Sequence, residues 1–175
     1  MALLPVLIAP DPRLKLKARA VAQVDSTIRR LMDDMLETMY VAPGIGLAAP
    51  QVGHALRIIV ADVARDEEEE KQPLRMANPE ILWRSDTLAT YNEGCLSLPE
   101  HYADVTRPAA IRVRYVDHEN EIRQMEAEGL LATVIQHEMD HLEGVLFVDR
   151  ISPLKRNIIL RKLAKTKRLA DPAPA

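Results

Sequence analysis

The stretch that most constrains this chain is Gln136-His137-Glu138-Met139-Asp140-His141. Two histidines four residues apart stand one above the other on a helix, so both imidazoles can reach one metal ion. Glu138 sits about 100° round the helix from His137, close enough to act on a water bound to that ion. The spacing predicts a helix over about 128–143, with Gly144 as the terminating glycine. His137 and His141 share a stripe with Leu130 and Val134, and Leu131, Ile135, Met139 and Leu142 widen the apolar arc to about 200°, the mark of a buried helix. Histidines that face apolar neighbours need a proton partner or a metal. An ordinary pair of i, i+4 histidines is an exposed or core pair; the intervening glutamate favours a metal site, which requires a third ligand.

Catalytic zinc-type sites take three protein ligands and leave one position open. Downstream of His141 the sequence offers only Glu143, too near to turn back onto the same ion. Upstream, Glu93-Gly94-Cys95-Leu96-Ser97-Leu98-Pro99 carries the one cysteine of the chain. A lone cysteine is usually a small buried hydrophobe, but a Gly-flanked turn beside acid and hydroxyl groups suits a thiolate. A third segment, Gly44-Ile45-Gly46-Leu47-Ala48-Ala49-Pro50-Gln51, is small and apolar. It lacks the spacing and the lysine of a phosphate loop, which excludes nucleotide binding there. It reads as a tight buried connector, except that Gln51 needs a hydrogen-bond partner. An amide donor aimed at a substrate oxygen is one such use.

With 175 residues and 47% hydrophobic content, one domain is expected over residues 1–170, with 171–175 a disordered tail. One Phe, one Trp and four Tyr leave little for base stacking, and a net charge of −3 argues against general nucleic-acid binding. The segment Ile151–Ala170 differs: it holds seven Lys or Arg and no acid, either a solvated face or a partner surface. A single cysteine permits no intramolecular disulfide and suits a reducing compartment. Neither a leader nor a run of 18 apolar residues is evident, so no membrane association and a cytoplasmic location are expected.

Pro5, Pro10 and Pro12 predict an extended arm over residues 1–24. Ile28, Leu31, Met32, Met35, Leu36 and Met39 predict an amphipathic helix over 26–40, capped by Asp25 or Ser26. Leu56–Val63 reads as a buried strand, Asp66–Lys71 as a charged loop, and 74–92 as two or three short strands around Asn78-Pro79. Ile111–Val116 and Glu121–Glu126 read as a hairpin. A last helix over 153–169 places Leu154, Ile158, Ile159 and Leu163 on one side and basic residues on the other. The fold class is α+β: antiparallel sheets packed around a central buried helix carrying the histidines, with an N-terminal and a C-terminal helix.

Taken in order, Gly44–Gln51, Glu93–Ser97 and His137–His141 resemble the three signature segments of the peptide deformylases, in the bacterial form with a helical C-terminus. The resemblance runs from Ala9–Leu14 to Ser152–Lys155. It implies that Cys95, His137 and His141 hold one divalent ion, and that Glu138 is the general acid/base for a metal-activated water. Gln51 and the backbone N–H of Leu96 would stabilise the oxyanion. Ile45 and Gly46 would border the substrate groove, and Tyr91, Leu130 and Val134 would line the side-chain pocket. The implied reaction removes the formyl group from the N-terminal formylmethionine of nascent polypeptides. Cys plus two His suits Zn(2+), whereas the resemblance points to Fe(2+) as the native ion, with Zn(2+), Ni(2+) or Co(2+) as substitutes. A monomer is expected, and the charge of the basic last helix together with the resemblance points to a ribosome contact near the exit tunnel through that helix. Tyr102 stands where several relatives carry Arg at the groove mouth, and Arg107 is placed to pair with Asp140 or Glu93. Two other classes share parts of the pattern. A zinc endopeptidase has the helix but no use for Cys95, and a non-catalytic metal-binding or ribosome-associated module would tolerate loss of Glu138.

Overall fold

Seven strands and three α-helices form among the residues that the computed structural model describes, 2–64 and 70–170. Helix α1 (Ser26–Val41) begins where the Asp25 side chain accepts a hydrogen bond from the Ile28 N–H, satisfying a donor that the helix itself cannot. Strand β1 (Gly46–Ala48) leads through a 3-10 turn (Ala49–Val52) to β2 (Ile58–Ala61). Then come β3 (Leu74–Arg84), β4 (Leu88–Cys95), β5 (Leu98–Pro108), β6 (Ala110–Val116) and β7 (Ile122–Glu128). Helix α2 (Gly129–Leu142) carries the histidines, and α3 (Pro153–Ala170) closes the described chain.

An antiparallel five-stranded sheet has the order β1-β2-β3-β6-β7, and β4 pairs with β5 as a separate ribbon. All four residues of β2 are buried because the sheet is covered on both faces there. Ile58 and Val60 pack with Met32, Met35 and Met39 of α1, while Ile59 packs with Ala132, Ile135 and Leu142 of α2. Side chains alternate across a strand, so a continuous apolar run serves two cores at once. A third core joins Ala9 and Leu14 of the N-terminal arm to Leu98 and Val105 of β5, Phe147, and Leu163 of α3. The α2 helix is thus held between the large sheet and the ribbon. It ends at Gly144, whose φ of +73° and contact with the Lys15 carbonyl leave no room for a side chain.

Several details differ from the sequence expectation. The N-terminal arm is not wholly extended: Pro12–Lys15 forms a 3-10 turn, with Asp11 capping the Arg13 N–H and Pro12 in the first turn, where its missing N–H costs nothing. The strand expected over Leu56–Val63 is limited to Ile58–Ala61. The expected short strands over 74–92 are one eleven-residue strand, β3, and the start of β4. The irregularity at Asn78-Pro79 is a register shift inside β3 rather than a break. Strand β5 was not foreseen. The apolar side of α3 is narrower than its sequence stripe: Leu154 is 70% exposed and Ile158 40% exposed, and Ile159, Leu160 and Leu163 make the packing. Residues 65–69 of the charged loop and the tail 171–175 lie outside the described residues. No described helix is long and apolar enough to cross a membrane.

Asp149 ties three segments together. Its carboxylate accepts from the Leu146 N–H, Lys15 and Arg156. Burial pushes this carboxyl up, but those donors outweigh burial and hold it below its ordinary 3.8. A depressed folded-state pKa contributes stability above the unfolded value, lost as pH falls through the folded value. Asp149→Asn should therefore cost about 1 kcal/mol at neutral pH, since both cationic partners are a third or more exposed and water screens them. Urea titrations at a series of pH values should show the gap between wild type and variant closing below pH 3.8; a gap independent of pH would contradict this account of Asp149.

Candidate active site

Three side chains from two structural elements converge on one point. Cys95 ends β4, and His137 and His141 lie one turn apart on the buried α2. The sulfur and one nitrogen of each ring all lie within 4.8 Å of one another, and Cys95 Sγ is 3.4 Å from His141 Nε2. The rings meet edge to face with centroids 5.2 Å apart. Phe147 stacks on His137 at 6.1 Å and 24°. One thiolate and two imidazoles, fixed by backbone on two sides, form a three-ligand set of the kind that leaves a coordination position open.

Behind the histidines lies a buried charge network. Glu93 Oε1 is 2.8 Å from His137 Nδ1, which leaves Nε2 of that ring for the cluster. Arg107, on β5, donates to both oxygens of Glu93 at 2.7 and 3.0 Å and to Asp140 of α2 at 2.9 Å. Asp140 in turn accepts from Arg150. Burial pushes Glu93 up, yet His137 and Arg107 outweigh burial and hold it below its ordinary value. It is therefore an anion that orients His137, the partner such a ring needs in order to present a fixed nitrogen. Arg107 pairs with both carboxylates that the sequence offered as alternatives. The bond from Glu93 to His137 went unpredicted, although Glu93 and Cys95 share one face of a strand by their spacing of two. Glu143 points elsewhere, pairing with Arg57 at 2.8 Å.

Glu138 is 3% exposed. Burial pushes its carboxyl up to about 7, the range for a group that takes and returns a proton near neutral pH. Its Oε1 and His141 Nδ1 are buried without a hydrogen-bond partner among the described residues, and Oε1 lies 3.9 Å from His141 Nε2. Burial holds His141 well below its ordinary 6.5, favouring the neutral ring that ligates metals. Burial likewise pushes His137 down, but Glu138, Cys95 and Glu93 outweigh it and raise this ring. The orphaned carboxylate oxygen, the three converging donors and the softness of the thiolate together fit a divalent transition-metal ion with a water beside Glu138.

A cavity of about 720 Å³ opens onto this cluster. Every residue that the sequence proposed for substrate contact lines it: Ile45, Gly46, Gln51, Tyr91, Leu96, Leu130 and Val134, as do Cys95, His137 and Glu138. Gln51 is 1% exposed; its Oε1 accepts from the Ala48 N–H, and its Nε2 donates to Ser97 Oγ at 3.1 Å and toward Cys95 Sγ at 3.4 Å. That answers the partner question raised by a glutamine amid apolar neighbours. Gly46 is required by close approach: a Cβ there would lie 2.5 Å from Glu138 Oε2 and 2.9 Å from Val134 Cγ1. Its backbone thus walls one side of the carboxylate. Among the residues that sequence reasoning missed at this site are Glu100 at the mouth and Phe147 against the ring, both brought in by chain segments with no periodic signal of their own.

An α+β scaffold whose buried helix carries His-Glu-x-x-His, with a cysteine brought up from a strand end, defines a class of hydrolase. The Polypeptide deformylase family profile matches residues 3–157. The chain is 56% identical over 176 residues to the peptide deformylase of Methylocella silvestris, covering 99% of this chain and 90% of that one. It is 55% identical to that of Phenylobacterium zucineum, covering 97% and 100%. The crystal structure of peptide deformylase from Ehrlichia chaffeensis superposes with a TM-score of 0.91 at 37% identity, covering 97% of this chain and 99% of that one. The chain belongs to the peptide deformylase family.

The close approach at Gly46 yields a sharp test. Gly46→Ala should leave the fold intact but displace the Glu138 carboxylate, lowering kcat on the order of 10²-fold. Steady-state kinetics beside a far-ultraviolet circular dichroism spectrum would check this; an unchanged kcat would show that the carboxylate position is not critical.

Proposed function

We propose that this chain removes the formyl group from peptides beginning with N-formylmethionine, and that nascent polypeptides are its substrates. The observation that carries the reading is the meeting of Cys95, His137 and His141 within 4.8 Å, with Cys95, His137 and Glu138 lining the cavity. Family membership supplies the substrate class.

Cys95, His137 and His141 would hold the divalent ion. When bound, it would supply Lewis acidity, lowering the pKa of a water toward about 7 and polarising the formyl carbonyl. The rest is done by the chain's own residues. The carboxylate of Glu138 takes a proton from the attacking water and later gives it to the leaving amine, a role that suits a group near neutral pKa. Gln51 Nε2, which already leans on the Cys95 sulfur, and the Leu96 N–H donate to the oxyanion that develops on the formyl oxygen. One such donor is worth on the order of 3 kcal/mol. Leu130 and Val134, a turn apart on α2, and Tyr91 on β4 form an apolar wall for the methionine side chain. Gly46, which opens β1, and Ile45 just before it present backbone along the groove, where an extended peptide can pair with it. A tight site beside the ion would admit a formyl hydrogen and hinder the methyl of an acetyl group.

Fe(2+) is the proposed native ion, with Zn(2+), Ni(2+) or Co(2+) able to take the same donors. The proposed working state is a monomer in the cytoplasm. The basic α3 is the proposed ribosome contact, because Lys155, Arg161, Lys162 and Lys165 are exposed along it and the RNA backbone is polyanionic.

Two measurements test this reading. Anaerobically purified wild type should release formate from formyl-Met-Ala-Ser, and Glu138→Ala should retain the metal while turnover falls at least about 10³-fold. Cys95→Ser should lose or exchange the metal. A metal-loaded wild type that leaves the peptide formylated would remove the deformylase reading. For the ribosome contact, Lys162→Glu with Lys165→Glu should weaken salt-sensitive ribosome co-sedimentation; binding that neither salt nor these changes affects would exclude α3 as the contact.

A further inference from the structure

The groove wall at Ile45 and Gly46 hangs on a short strand. β1 meets β2 over three residue pairs, Gly46 with Ala61, Leu47 with Val60 and Ala48 with Ile59. The ends of so short a pairing open most easily. The Gly46 end is the one that faces the substrate: Ala42, Pro43, Gly44, Ile45 and Gly46 all line the cavity.

Two residues that do not line the cavity close that end. Asp62 directly follows β2 and is 2% exposed. A carboxylate so deep needs hydrogen bonds. Its Oδ2 accepts from the Tyr40 hydroxyl at 2.5 Å, and its Oδ1 accepts from the Ala64 N–H at 3.0 Å. The Asp62 N–H donates to the Ile45 carbonyl at 2.9 Å, one step beyond the Gly46–Ala61 pair. Tyr40 lies in the last turn of α1, and the carbonyl of its neighbour Met39 accepts from the Gly44 N–H at 2.7 Å. These bonds close a ring from Tyr40 through Asp62, Ile45, Gly44 and Met39 back to Tyr40. Burial and the Asp62 carboxylate push the Tyr40 hydroxyl above its ordinary 10, so it stays a donor. Lys71 Nζ stands 4.4 Å from the centre of the Tyr40 ring. Gly46 comes next in the chain, and its missing Cβ is what lets Glu138 Oε2 approach. The ring of bonds therefore acts on the groove edge, and on the wall of Glu138, through a single residue.

We propose that Tyr40 and Asp62 are positioning residues for the reaction: their hydrogen bond clasps the entry of β1 and presets the Ile45–Gly46 backbone for an extended peptide. This rests on the deformylase reading above and adds to it the device that holds the groove edge. Without the clasp, the edge is ordered only when the peptide binds, and that cost appears in KM. Once paired, the peptide holds the strand itself, so Glu138 regains its wall and kcat is retained.

The test is steady-state kinetics on formyl-Met-Ala-Ser with metal-loaded enzyme, rates being normalised to bound metal. Tyr40→Phe removes one oxygen and should raise KM about tenfold, with kcat within about twofold of wild type. Asp62→Ala should act in the same way, and the double variant should be no worse than Asp62→Ala alone, because the two changes break one shared bond. Asp62→Asn keeps an oxygen that accepts from the hydroxyl, so its KM should stay within about threefold of wild type. A merely structural role would lower the active fraction, and hence kcat, without moving KM. Amide hydrogen exchange reads the clasp without turnover: in Tyr40→Phe the Gly44 and Asp62 N–H groups should exchange about tenfold faster, while those of α2 stay protected. An unchanged KM in Tyr40→Phe, or a fall in kcat alone, would overturn the clasp and leave the deformylase reading standing. So would fully additive effects of Tyr40→Phe and Asp62→Ala. A wild type that leaves the peptide formylated would overturn both.

Discussion

The buried ion pairing of Arg107 is the constraint on which the site depends. A guanidinium only 5% exposed bonds Glu93 on the ribbon and Asp140 on α2. Removing three charges from water is costly unless each is fully hydrogen-bonded, and here the fork of one arginine satisfies both oxygens of Glu93 and reaches Asp140. The network is weak evidence for stability but strong evidence for geometry. It locks the β4–β5 ribbon to the helix at one spacing, and that spacing decides whether the Cys95 sulfur meets the two rings. The same Glu93 oxygen that accepts from Arg107 bonds His137, so one carboxylate sets the distance between elements and the direction of the His137 ring.

The remaining geometry comes from close packing without side chains in the way. The backbone of β1 can lie against Glu138 because position 46 is glycine, and the loop after α2 can pass beneath Lys15 because position 144 is glycine. Each absence of a Cβ lets another group occupy a defined place. Water is excluded from most of the floor: Gln51, Ser97, Glu138 and His141 are all 3% exposed or less. In such surroundings dipoles and partial charges act at close to full strength. Glu138 has a raised pKa for that reason.

How much of this was legible in the sequence depended on the range of the interaction. The α2 helix announced itself by 3.6-residue periodicity, and its cap, its burial and the convergence of His137 and His141 follow from local geometry. The α1 helix and the β6–β7 hairpin were readable for the same reason. Placing Cys95 on the same ion, 42 residues before His137 in the numbering, required the ordered resemblance of three segments, since spacing alone left the ligand as a plausible choice. The hidden parts were long-range or irregular. Strand β5 escaped because Pro99, Glu100 and His101 interrupt its alternation with a bulge. The bond of Glu93 to His137 joins residues 44 apart, and its one local hint is the strand face that Glu93 shares with Cys95. The apolar stripe of α3 overstated its core contact, because periodicity reports which residues could pack and not how far the neighbouring surface extends to meet them.

The central claim is that one sulfur and two ring nitrogens of this chain share a single ion. X-ray absorption at the metal edge of anaerobically purified protein measures that shell directly. The account predicts one metal per chain, with one sulfur scatterer and two imidazole nitrogens, and loss of the sulfur shell on Cys95→Ser. A shell of nitrogen and oxygen alone in the wild-type protein would contradict it.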